Sequence, residues 1–168
     1  MKVILNMVIT VNGLIAKEND EAPWSDTIWK NYYKTGKKIR NIIVGRKTYE
    51  LMKEVNEFEK LGNPLTVVLT SKPLKGNENL FFVSSPKKAL EIIKNKGYKK
   101  TLLGGGAKTT SAFMKEGLVD ELVIQIEPML FGKGIKLFSD ADFEAKLKLL
   151  DVKHLSKNEL ELRYKVLK

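Results

Sequence analysis

Three short segments could hold phosphate. IIVGRKT (42–48), VVLTSK (67–72) and LLGGGAKT (102–109) each run from an apolar stretch into some mixture of glycine, hydroxyl and cation. That mixture is what an anion needs: backbone N–H groups free of Cβ obstruction, hydroxyl donors and positive charge. Gly104, Gly105 and Gly106 open the backbone, and Lys108, Thr109 and Thr110 follow them. Arg46, Lys47, Thr48, Ser71 and Lys72 form a second such set. Taken alone, GGG reads as a tight turn and GRKT as an ordinary helix start. Neither a GxGxxG nor a GxxxxGK[ST] spacing is present, so the expectation rests on the three segments together. Two anion sites on neighbouring strands suit a dinucleotide carrying an extra phosphate, which is NADPH rather than NADH.

These segments need elements that bring them to one edge. Lys2–Ile9 is a buried strand, and Thr10–Ser25 is a long irregular loop of the kind that often carries function. Asp26–Ile39 reads as a helix capped by Ser25 or Asp26, with Gly36 weakening its end. Strands follow at 41–44, 65–69, 80–83 and 102–103, with helices after Gly45, after Ser84 or Ser85, and after the glycines. Leu122–Phe131 is a long strand, and 146–153 with 159–167 suggests a closing antiparallel hairpin. The alternation predicts a single α/β domain over 1–168, a mixed and largely parallel sheet flanked by helices. In such sheets ligands sit at the carboxyl ends of the strands.

Composition bounds the function. At 168 residues, with 43% hydrophobic and 30% charged residues, the chain suits a soluble globular domain. No apolar run is long enough to span a bilayer, and no small-residue cleavage site follows the N-terminal apolar stretch. A cytoplasmic protein is expected. With no cysteine and one histidine, His154, a metal site is not expected. The net charge of +10 raises the question of nucleic acid. Only three of the 30 basic residues are arginines, and the lysines are scattered, so a solvated surface is the expectation rather than a nucleic-acid partner.

Nearly the whole chain resembles the superfamily that joins dihydrofolate reductases to the reductase domain of riboflavin biosynthesis, the RibD C-terminal domain. MVITVNGLIA (7–16) is similar to both branches. APW (22–24), IIVGRKTYE (42–50) and VVLTSKP (67–73) resemble dihydrofolate reductase. The run 102–134 and the closing hairpin resemble the riboflavin-type reductase. The resemblance implies a dihydrofolate-reductase-like fold, NADPH-dependent hydride transfer and a homodimer. By position it places Gly45, Arg46, Lys47 and Thr48 on cofactor phosphate, and Thr70, Ser71 and Lys72 near the 2′-phosphate. Gly104, Gly105, Gly106, Ala107, Lys108 and Thr109 would hold the pyrophosphate, and Val8 and Ile15 would flank the nicotinamide. Asn6, Trp24, Trp29, Tyr33 and Gln125 would meet the substrate, with the aromatic rings stacking on a flat heterocycle.

Dihydrofolate reductases place one carboxylate on the helix after the Pro-Trp loop. An ungapped alignment puts Trp29 there, so Asp26, one turn earlier, is the candidate acid, with a helix N-cap as its plainer role. Asn12 stands where the riboflavin branch carries aspartate, and GRKTYELM replaces that branch's GxxTVxxDxP. The expected substrate is therefore a pterin, dihydrofolate first. The ribosylaminopyrimidine phosphate of riboflavin synthesis is the alternative, and a basic nucleic-acid-binding module without catalysis is the reading from a different class.

Overall fold

The N-terminal apolar run lies in the middle of the sheet. A computed structural model describes all of Met1–Lys168. Its first half holds β1 (Lys2–Thr10), β2 (Leu14–Ala16), α1 (Asp26–Ile39), β3 (Asn41–Gly45), α2 (Arg46–Glu54), α3 (Glu57–Lys60) and β4 (Leu65–Leu69). The second holds β5 (Leu80–Val83), α4 (Pro86–Asn95), β6 (Lys100–Leu103), α5 (Ala107–Lys115) and β7 (Glu121–Glu127). The chain closes with β8 (Ile135–Lys136), β9 (Lys146–His154) and β10 (Leu160–Leu167). Eight strands form one sheet in the order β5-β4-β3-β6-β1-β7-β10-β9, and β2 pairs β8 in a separate two-stranded sheet.

β1 pairs β6 and β7 in parallel, β3 pairs β6 and β4 in parallel, and β10 alone enters antiparallel against β7 and β9. A parallel sheet is covered on both faces, which is why β1 is apolar at six of its nine positions, with apolar side chains on both faces. Val3 and Leu5 pack with Ala89 and Ile93 of α4 and Phe113 of α5. Ile4 points the other way, to Tyr32 and Ile39 of α1, Met52 of α2 and Leu61. The α/β class, the mixed sheet and the C-terminal hairpin are as the sequence predicts.

Three boundaries differ. β7 ends at Glu127, short of Phe131, because Pro128 has no N–H to give to a ladder. The 10–25 segment is not wholly irregular, since Leu14 and Ala16 find partners at Lys136 and Ile135. α3 was not expected; it follows Asn56, whose left-handed backbone (φ 52°) turns the chain back after α2. Gly36 is buried within α1, where an added Cβ would stand 2.3 Å from Leu61 Cδ2, so it serves close packing rather than the helix end. No helix is long and apolar enough to cross a membrane.

Phe113 is fully buried in the cluster that joins α5 to the sheet. Phe113→Ala is expected to lower unfolding free energy by about 3–5 kcal/mol, the cost of a large aromatic cavity, read from urea unfolding curves.

Candidate functional site

α2 and α5 begin where β3 and β6 end, and both open on one cleft of about 1470 Å³. Their N-caps are Gly45 and Gly106, and neither helix start has a side-chain cap. α1 and α4 are different: Ser25 Oγ accepts from the Ile28 N–H and Ser85 Oγ from the Lys88 N–H. The first turns of α2 and α5 contain no acid, and both are basic, with Arg46 and Lys47 in one and Lys108 in the other. A cation in the first turn opposes the helix dipole by about 0.3–1 kcal/mol. The arrangement suits an anion that binds the free N–H groups and the cations together.

The two helix starts are locked to one another. The Gly45 N–H donates to the Gly105 carbonyl at 2.8 Å, and the Gly104 N–H donates to the Ile43 carbonyl at 2.9 Å. A Cβ at Gly45 would lie 2.5 Å from Thr109 Oγ1, so the two turns can approach only because that side chain is absent. Gly105 is buried with φ at +93°, a backbone that side-chain-bearing residues rarely adopt. Part of the reason for three glycines is thus the fold itself: a valine at 105 would strain the backbone as well as any ligand contact.

The other half of the cleft is aromatic and polar. Trp29 and Tyr33 stack with centroids 5.7 Å apart and planes 14° apart, and Trp24 stacks on Phe131. Beneath them runs a directed chain of side-chain amides. Lys153 Nζ donates to Asn31 Oδ1, Asn31 Nδ2 donates to Gln125 Oε1 at 3.2 Å and also to Glu161, and Gln125 Nε2 donates to Asn6 Oδ1 at 3.4 Å. Asn6 Nδ2 is left buried without a partner, in a residue that lines the cleft. The loop after β2 crosses to α2, where Asp20 meets Lys47 at 2.8 Å.

Of the residues singled out in the sequence, Val8, Ile15, Gly45, Arg46, Lys47, Thr48, Thr70, Gly104, Gly106, Ala107, Lys108 and Thr109 line this cleft. So do Asn6, Trp24, Trp29, Tyr33 and Asp26. Gly105 and Gln125 lie buried behind the wall, and Ser71 and Lys72 are exposed on the turn after β4, outside it. Asp26 is an exposed first-turn residue of α1, and Ser25 does the capping. The Ser25 N–H in turn donates to buried Glu127 at 2.9 Å, which fixes the start of α1 to the end of β7.

Sequence reasoning missed Glu57, on α3. It is 5% exposed, lines the cleft, and accepts a hydrogen bond from Tyr33 Oη at 3.1 Å on Oε2. Burial pushes its carboxyl above the ordinary glutamate value, against the opposing pull of Tyr33 and Lys60. Burial and the Glu57 carboxylate push the Tyr33 hydroxyl up, so it stays a donor. An acid among Glu54, Glu57 and Glu59 in a polar stretch carries no sequence mark that it is turned inward. Lys136, in β8, and Phe138 and Ser139, just after it, also line the cleft and carried no signal.

The family model of the RibD C-terminal domain matches residues 1–159. The uncharacterized protein YwjB of Bacillus subtilis is 29% identical over 161 residues, covering 90% of this chain and 91% of its own. The crystal structure of a putative riboflavin biosynthesis protein from Shewanella sp. PV-4 superposes with a TM-score of 0.82 at 18% identity over the full length of both chains. Dihydrofolate reductase from Enterococcus faecalis, complexed with NADP(H) and RAB-propyl, gives 0.68 at 21% identity, over 98% of this chain and 96% of that one.

The raised Glu57 carboxyl has a consequence for stability. Between its ordinary value of 4.5 and its higher folded value, the folded chain holds a proton that the unfolded chain has lost. Stability due to Glu57 is therefore complete at low pH and falls as pH rises through that window. Glu57→Gln is expected to be more stable than wild type at neutral pH, with the difference vanishing below about pH 4.5, the ordinary glutamate range, in urea unfolding followed across pH.

Proposed function

Because the chain belongs to the RibD C-terminal domain family, we propose that it is an NADPH-dependent reductase of a flat pterin- or pyrimidine-type heterocycle. One observation carries the reading: two helix starts, capped only by glycine and basic in their first turns, open side by side on one cleft. A Cβ at Gly106 would come within 3.1 Å of Thr48 Oγ1, and one at Gly45 would collide with Thr109, so the cradle between them is narrow and lined by backbone. These residues fit a pyrophosphate. The family moves the weight from dihydrofolate, the substrate expected from the cofactor and loop segments, toward the ribosylaminopyrimidine phosphate of riboflavin synthesis.

Bound in this cleft, the reduced nicotinamide supplies the hydride. The chain's own residues do the rest. Gly45–Thr48 and Gly104–Thr109 bind the phosphates, and Val8 and Ile15 flank the ring that reacts. Half-buried Thr70, with Ser71 and Lys72 exposed on the turn beyond it, forms the edge proposed to read the 2′-phosphate. Trp24, Trp29 and Tyr33 hold the substrate's plane, and Asn6, whose orientation Gln125 fixes, offers it an N–H. The loop tied down by Asp20 and Lys47 covers the cleft and limits water. Asp26 stands at the rim as the carboxylate we assign to proton supply. The same reading includes a homodimer: edge strand β9 exposes Leu147, Leu149, Leu150 and Val152, which a second copy would cover.

Calorimetric titration tests the cofactor. NADPH is expected to bind about tenfold or more tightly than NADH, the worth of one charge-assisted contact, and Lys72→Ala to narrow that gap. Equal affinities in the wild type would remove the 2′-phosphate from the reading. Steady-state assays with dihydrofolate and with the ribosylaminopyrimidine phosphate rank the substrates. In the same assays Asp26→Asn is expected to lose about 100-fold or more in kcat at neutral pH, and full retention would take Asp26 out of proton supply.

A further inference from the structure

Glu57 is the one acid buried in the wall of this cleft; Asp20, Glu21, Asp26, Glu54 and Asp140 are partly or fully exposed. Its two oxygens are not equivalent. Oε2 is held by the Tyr33 hydroxyl at 3.1 Å and lies 3.8 Å from Lys60 Nζ. Oε1 is buried and has no hydrogen-bond partner. A buried polar atom left unpaired is rare in folded proteins and is costly, so it marks a place where something else completes the bonding. Burial pushes this carboxyl up, as expected of an acid whose bonding is incomplete.

The surroundings restrict what can complete it. Tyr33, which orients the carboxyl, is also stacked on Trp29, so the acid sits at the margin of a flat aromatic wall. An ionised carboxylate only accepts hydrogen bonds. A partner lying against those rings must therefore bring N–H donors in its own plane. Lys60, the cation beside Glu57, is already paired with it, and Glu54 adds a second negative charge to this part of the wall. A carboxylate or phosphate here would meet like charge, whereas the first turns of α2 and α5 offer cations.

We infer that Glu57 is a specificity-determining residue: its free carboxylate oxygen takes an N–H edge of the substrate's heterocycle. The substrate thus turns amino or imide N–H groups toward α3 and carries any anionic tail away from it. This rests on the reductase reading of the cleft, and it names the chemistry at the end away from the phosphate cradle. Tyr33 is the positioning residue, keeping one oxygen occupied and leaving the other without a partner until the ligand's edge reaches it.

The experiment uses the full chain and two probes, 2,4-diaminopyrimidine for the N–H edge and p-aminobenzoylglutamate for an anionic tail. Binding is read from quenching of tryptophan fluorescence, with and without NADPH, and NADPH affinity is measured separately. The diaminopyrimidine is expected to bind wild type more tightly than p-aminobenzoylglutamate. Glu57→Gln is expected to weaken it about 10- to 100-fold, the range for a hydrogen bond to a charged group, while NADPH affinity stays as in wild type. Unchanged diaminopyrimidine affinity in Glu57→Gln, absence of its binding to wild type, or a preference for p-aminobenzoylglutamate would each overturn the inference. Loss of NADPH binding by the wild type would instead overturn the reductase reading, leaving the Glu57 comparison to be judged by the cofactor-free titration. Should Glu57→Gln fail to fold, wild type labelled at glutamate ¹³Cδ decides: one carboxyl resonance moves toward its ionised position on saturation with the diaminopyrimidine, and none moving is the contrary result.

Discussion

The contact on which the site depends is backbone to backbone: the Gly45 N–H on the Gly105 carbonyl, at 2.8 Å. It ties the turn after β3 to the turn after β6 and so sets how far apart the starts of α2 and α5 stand. A side chain at Gly45 would collide with Thr109, and Gly105 needs a left-handed backbone that other residues adopt at a cost. The sheet supplies the rest of the rigidity. β3 and β6 pair through Ile42↔Leu102 and Ile43↔Leu103, so the two strands deliver their ends at one level. An anion cradle built from main chain is as stiff as the sheet behind it, whereas one built from lysine side chains would have to be ordered by its ligand.

The two halves of the cleft are assembled by different means. The half proposed to hold phosphate uses strand ends and helix starts, short-range features that each take only a few residues. The aromatic and polar half is assembled from distant parts of the chain. Tyr33 comes from α1, Glu57 from α3, Asn6 from β1, and Gln125 from β7. Glu127 reaches back from β7 to the Ser25 N–H and fixes where α1 begins, and therefore where Trp29 and Tyr33 stand. The β2–β8 pair, far apart in sequence, brings Ile15 and Lys136 to the same wall.

That division explains what could be read from the sequence. Glycine, hydroxyl and cation after an apolar run is a local pattern with a local cause, so IIVGRKT and LLGGGAKT could be placed at helix starts from their residues alone. The same is true of Asp26–Ile39, where serine and an apolar period mark a helix that the structure reproduces to the residue. Gly36 was misleading because its role is set by Leu61, a residue outside the helix. β2 was hidden because three residues carry no period, and its partner lies at 135–136. Glu57 was hidden for the same reason: polar neighbours surround it in sequence, and only the approach of Tyr33 turns it from a surface acid into a buried one. Ser71 and Lys72 show the converse, a legible local pattern that the fold leaves outside the wall.

The polarity of the buried amides follows from the same long-range assembly. Asparagine and glutamine can each donate or accept, so Asn6 alone would not say which face it presents. Lys153 at the far end can only donate, and Glu161, beside Asn31, accepts. Between those two fixed ends, Asn31 must turn its oxygen to the lysine and its nitrogen to Gln125 and Glu161. Gln125 then has its oxygen occupied and must donate to Asn6. The one group left over, Asn6 Nδ2, is a donor. A surface lysine on β9 thus sets, through three amides, that the group left unpaired on β1 is an N–H, while the one left unpaired on α3 is a carboxylate oxygen.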